Sequence, residues 1–81
     1  MHQIERLIWL DKYLFNCQKN PQSRPSIQRV FNGACEEGDE MSYSTLVRDM
    51  TLLEQCGAEV RHDGEGWYST AMAFRCNQKR K

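Results

Sequence analysis

The chain has 81 residues, 40% of them apolar, which fits one small folded domain and excludes a disordered chain. No apolar run approaches the length of a membrane span. The opening Met1-His2-Gln3 lacks the basic stretch and apolar segment of a signal peptide, so a soluble, cytoplasmic protein is expected. Eleven basic residues balance eleven acidic ones, so any affinity for a polyanion has to come from a local patch.

The charge is unevenly spread. Residues 36–40, Glu-Glu-Gly-Asp-Glu, carry four negative charges, and Arg75 to Lys81 carry four positive ones. Without that tail, seven basic residues face eleven acidic ones, a net charge of −4. The organisation expected is a folded domain over 1–74 and a basic tail over 75–81.

In chain order, residues 3–18 read as a first helix. Ile4, Leu7, Ile8, Leu10, Tyr13, Leu14 and Cys17 recur mostly at three- and four-residue spacing, and Trp9 and Phe15 widen the stripe. That width predicts a central, buried helix. Asn16 to Arg24, with Pro21 inside and Pro25 just beyond, reads as a loop. Ser26 is the expected N-cap of a second helix over 27–35, with Ile27, Val30, Phe31 and Ala34 as its stripe. Arg29 then falls in the first turn, where a cation opposes the helix dipole, which hints at a phosphate partner. The acidic stretch Glu36 to Met41 is the next loop.

Ser42 is the expected cap of a third helix, with Leu46, Met50 and Leu53 facing inward and Gly57 ending it. Ala58 to His62 alternates like a half-buried strand. Asp63-Gly64-Glu65-Gly66 is a hairpin turn, and Trp67 to Thr70 is the returning strand. Ala71 to Phe74 extends that strand or starts a short helix. Three helices followed by a two-stranded hairpin make an α+β winged helix-turn-helix, a fold that commonly sets its third helix in the DNA major groove.

The four cysteines, Cys17, Cys35, Cys56 and Cys76, lie about twenty residues apart with no Cys-x-x-Cys pair, which argues against zinc. The first three fall in or at the ends of helical patterns, where they read as small buried hydrophobes. The Ser, His and Asp residues suggest no triad, and no Gly-rich phosphate loop is present. The chain therefore reads as a binding protein, not an enzyme, with no cofactor.

The run Ser42-x-x-Thr45-Leu46-x-Arg48-Asp49-Met50-x-x-Leu53-x-x-x-Gly57 resembles the recognition-helix motif of DeoR-like winged-helix regulators. Its nearest likeness is the N-terminal DNA-binding domain of bacterial regulators that carry a WYL domain. The short strand, Gly turn and Trp67-Tyr68 continue the resemblance, which covers about residues 4–70. That family often has arginines where this chain has Tyr43 and Ser44, and its loop before the third helix is usually shorter and less acidic. The resemblance implies a bacterial or phage-encoded regulator, either standing alone or forming part of a longer one.

Arg48 is the leading candidate for a guanine or phosphate contact, since no acid lies three or four residues away to pair with it. Its plain alternative is a solvated helix charge. Ser42, Tyr43, Ser44 and Thr45 open the third helix, where hydroxyls and free amides meet phosphate oxygens or simply cap the helix. Asp49 is expected to orient structure, because phosphates repel it. Arg24, Ser26, Gln28 and Arg29 form a second backbone-contact set or a solvated helix end. Arg61 and His62 precede the wing turn, and Lys79, Arg80 and Lys81 are a phosphate anchor or a solubilising end. Trp67 and Tyr68 read as packing residues before base-stacking ones.

The reading that follows is a sequence-specific regulator of double-stranded DNA, acting as a homodimer and most simply as a repressor, with residues 43–56 as the recognition helix. The alternatives are a winged-helix protein-interaction module, with the acidic loop 36–40 meeting a protein partner, and an accessory factor of a phage or mobile element.

Overall fold

The computed structural model describes residues 3–35, 38–64 and 66–74. Three helices, α1 (Gln3–Asn16), α2 (Arg24–Ala34) and α3 (Tyr43–Gln55), precede an antiparallel ribbon of β1 (Val60–Asp63) and β2 (Gly66–Ser69). This is the α+β winged helix expected from the sequence. The ribbon register pairs Val60 with Ser69, Arg61 with Tyr68, His62 with Trp67, and Asp63 with Gly66. Gln22, in the loop after α1, adds a one-residue antiparallel bridge to Trp67. The ribbon thus has a third edge contact that the loop pattern gave no sign of.

The core is built where the apolar faces meet. Leu10, Leu14, Ile27, Phe31, Leu46 and Leu53 are almost wholly excluded from solvent. Burial of each such side chain contributes about 1.5–3 kcal/mol before chain entropy is set against it. Trp9 stacks on Tyr13 with ring centroids 4.9 Å apart and meets Phe31 edge-on at the same distance.

The first helix is less enclosed than its wide stripe predicts. Ile4 (52% exposed), Ile8 and Phe15 (both 37%) stay at the surface, and Cys17 lies in the turn beyond the helix end. Asp11 is the reverse case, a carboxylate 1% exposed. It accepts the backbone N–H groups of Ala73 at 2.9 Å and Phe74 at 2.8 Å. Residues 71–74 are therefore neither strand nor helix. Asp11 holds them across α1.

The second helix begins earlier than expected. Ser23, not Ser26, is its N-cap, accepting the Ser26 N–H at 3.3 Å. Pro25 sits in the first turn, where its missing N–H costs nothing because that turn has no intrahelical partner. Arg29 consequently lies beyond the first turn, where the helix dipole no longer opposes its charge. Asn32 fixes the following connection. Its side-chain carbonyl accepts the Met41 N–H at 2.9 Å, and its amide donates to the Met41 carbonyl at 3.3 Å.

At the third helix the expected signals hold. Ser42 accepts the Thr45 N–H, and Gly57, at φ 111°, takes the left-handed conformation that ends the helix. The helix ends at Gln55, with Cys56 as its cap. Cys17 is buried as expected, whereas Cys35 is half-buried and Cys56 exposed, because a cap position projects from the helix end. Glu36, Glu37, Glu65, Cys76 and the tail, including Lys79, Arg80 and Lys81, lie outside the described residues.

Candidate nucleic-acid interface

Helix α3 divides into two faces. Leu46, Asp49, Met50 and Leu53 point inward. Ser44, Arg48, Thr51 and Gln55, spaced by three and four residues, form the opposite, exposed face. Thr51 donates to the Val47 carbonyl at 3.1 Å, so its hydroxyl is partly engaged. Arg48 is exposed, and among the described residues no carboxylate pairs with it. Its neighbour Asp49 has no exposed side-chain surface and binds Arg6 of α1. The adjacent Arg48 and Asp49 thus serve different ends, one facing solvent and one facing the core.

The start of α3 is a closed hydroxyl cluster. Ser42 donates to the Thr45 hydroxyl at 3.0 Å and lies 3.3 Å from that of Ser44. Ser42 and Thr45 are therefore engaged in capping. Tyr43 is 46% exposed and stands beside them.

The second set of candidates divides by role. The Gln28 side-chain amide donates to the Met41 carbonyl at 3.1 Å and so supports the connection to α3. Ser26 donates to the Gln22 side chain at 3.0 Å. Arg29 is exposed on the helix surface. Arg24 lies with its guanidinium carbon 4.2 Å from the centre of a Trp67 ring.

On the ribbon, the register separates two residues that the sequence places side by side. His62 pairs with Trp67, and their rings lie 4.5 Å apart, on the face that Val60 shares. Arg61 pairs with Tyr68 on the other face. Arg61 also lies 4.0 Å from Glu59, an exposed and loose ion pair that restrains it little. Glu59 in turn accepts from the Thr70 hydroxyl at 2.8 Å.

A small open pocket joins these pieces. Arg24, Val47, Thr51, Glu54, Val60 and Trp67 are among its lining residues. Thr51 belongs both to this pocket and to the outward face of α3. The start of α2, the exposed side of α3 and the ribbon therefore meet in one region. Among the described residues no group of three or more His, Cys, Asp or Glu side chains gathers to hold a metal, and no helix is long and apolar enough to cross a membrane.

Sequence reasoning missed Arg6 and Asn32, which hold α3 and its cap, and Asp11, which holds residues 73 and 74. Each acts on a partner distant in sequence, and none has a local motif. Only Asp49 carried a signal, as an acid in a helix otherwise facing anions.

No family model matches the chain, and no solved structure matches it significantly. Two curated proteins do. The chain is 37% identical over 51 residues to the ferric uptake regulation protein of Brucella abortus biovar 1 (strain 9-941) and, to the same extent, to that of Brucella abortus (strain 2308). The match takes in 63% of this chain and 36% of each relative, so the chain spans about a third of the length of the curated proteins it resembles. The likeness is thus to a winged-helix-sized part of a ferric uptake regulator, and it does not extend to the DeoR-like assignment that the α3 motif suggests.

Proposed function

We propose that this chain is a sequence-specific, double-stranded DNA-binding transcriptional regulator that reads the major groove with α3. The observation that carries the reading is Arg48, exposed and without a carboxylate partner among the described residues, on the outward face of a helix whose other face is locked into the core. An exposed guanidinium there offers two parallel donors to guanine or to phosphate. The similarity to regulation proteins supports a regulatory role. Membership of the DeoR-like, WYL-linked group is a narrower part of the reading and rests on the Ser42–Gly57 motif alone.

The mode of action proposed is binding without catalysis, as a homodimer that occludes a promoter. Ile4, Ile8 and Phe15 form an exposed apolar stripe on α1 suited to a second copy. The same stripe and the zero net charge favour the second reading, a winged-helix module that binds a protein.

A gel-shift against the DNA upstream of the chain's own gene, repeated at rising salt, tests the proposal. Binding is expected at low salt with a shallow salt dependence, because few cations are available. Arg48→Ala is expected to weaken it at least several-fold. Absence of binding to any duplex at low salt overturns the DNA reading and leaves the protein-interaction module.

A further inference from the structure

Trp67 does more than pack. We infer that Trp67 is the positioning residue for Arg24, and that together they form a second phosphate-backbone contact beside α3; this rests on the DNA-binding reading above.

Arg24 stands where a cation is not expected. It opens α2, where the helix dipole disfavours a cation, and among the described residues it has no carboxylate partner. A solvated arginine would be free to swing away. Instead its guanidinium lies 4.2 Å from the Trp67 ring centre and the residue is half-buried. Stacking uses the face of the guanidinium and leaves the N–H donors around its edge. No hydrogen bond to another described residue uses them. The result is a planar fork already held in place, so less side-chain freedom is lost when it meets an anion.

Trp67 can hold Arg24 because its own backbone is held. The Trp67 N–H donates to the Gln22 carbonyl at 2.7 Å, and the Gln22 N–H donates back at 3.2 Å. Gln22 is two residues before Arg24, so this bridge sets the start of α2 directly against the ring. The His62 ring packs on Trp67 as well, at 4.5 Å and a tilt of 30°. One aromatic side chain thereby gathers a group from α2 and a group from β1. Glu54 lines the same pocket and is the acid that competes with a phosphate for Arg24, so the hold of Trp67 on the guanidinium matters. Thr51 connects this spot to the face that carries Arg48. In a chain of zero net charge, such local concentration is what phosphate binding requires.

The test is fluorescence anisotropy of a labelled duplex that the full chain binds, titrated at several salt concentrations. Arg24→Ala is expected to weaken binding several-fold and to lower the salt slope by about one. Trp67→Leu is expected to produce much of the same loss with Arg24 still present. The double variant should be little worse than Arg24→Ala alone, and Trp67→Phe should retain most of the affinity. Arg24→Lys, which keeps the charge and leaves the core untouched, is expected to lose most of the contact; it carries the test if Trp67→Leu fails to fold. The inference is overturned if the wild-type chain binds duplex while Arg24→Ala leaves affinity and slope unchanged. It is also overturned if the Arg24 and Trp67 losses simply add, or if Arg24→Lys binds like wild type. A wild-type chain that binds no duplex would instead remove the DNA-binding reading itself.

Discussion

Arg6 on α1 and Asp49 on α3, 43 residues apart, form a two-point ion pair that ties the first helix to the back of the third. The Arg6 Nε binds one carboxylate oxygen, and the terminal guanidinium nitrogen binds the other at 3.3 Å. The Arg6 side chain keeps 20% of its surface in solvent, and that of Asp49 keeps none. The pair joins the apolar packing of Leu46, Met50 and Leu53 in holding the inward face of α3, opposite Arg48.

That asymmetry predicts unequal losses. Arg6→Ala strands a buried carboxylate and is expected to cost about 3 kcal/mol. Asp49→Ala leaves an arginine that can still turn to water, so it should cost less. Urea unfolding of the two variants and of the double variant checks this. A double variant more stable than Arg6→Ala alone, and close to Asp49→Ala, is the expected coupling, because it no longer buries an unpaired carboxylate.

Asn32 holds both the N–H and the carbonyl of Met41, immediately before the Ser42 cap. Asn32→Ala leaves the N–H of a residue that is only 4% exposed without its partner. A loss of about 1–3 kcal/mol is expected. Thermal unfolding measures it, and hydrogen exchange should quicken first at the Met41 amide.

Gly66 and Gly33 provide a matched pair. A Cβ on Gly66 would lie 2.4 Å from the Pro21 Cβ and 2.6 Å from its carbonyl carbon, and the Pro21 backbone cannot swing aside. Gly66→Ala is expected to push the loop off β2, break the Gln22–Trp67 bridge and cost about 1–3 kcal/mol. Gly33, in α2, has open space around it. Gly33→Ala should raise stability by about 0.5–1 kcal/mol. Melting temperatures that moved in the same direction for both would contradict this account.

Alkaline pH should weaken the fold. Burial pushes the Cys17 thiol above its ordinary 9.0, and burial, then the charge of Cys17, pushes the Tyr13 hydroxyl above 10.0. In the unfolded chain both groups lose their protons at the ordinary values. Their contribution is thus complete below the thiol's ordinary pKa and fades as pH rises through it toward the raised folded value. Urea midpoints are expected to fall above pH 9.0, and Cys17→Ala should flatten the first part of that fall. Below that pH, a thiol reagent should label exposed Cys56 well before buried Cys17.

The sequence by itself determined what depends on near neighbours. The stripe of Leu46, Met50 and Leu53, the Ser42 cap, the Gly57 stop and the Asp63-Gly64 turn each act over a few residues, so the third helix and the wing were legible from their own segments. Where two local signals compete the sequence is ambiguous: Pro25 marks a loop as readily as a first helical turn, and here Ser23 caps a helix with the proline inside that turn. The tertiary structure decided everything that joins distant segments. It gave Asp49 to Arg6, Asp11 to the amides of Ala73 and Phe74, Asn32 to Met41, and Arg24 to Trp67. It also placed Arg61 and His62 on opposite faces of the ribbon and left Ile4, Ile8 and Phe15 exposed. A lone charged or polar side chain looks the same in sequence whether it meets water or a partner forty residues away. Only packing the helices against the ribbon removes water from one and leaves it around the other.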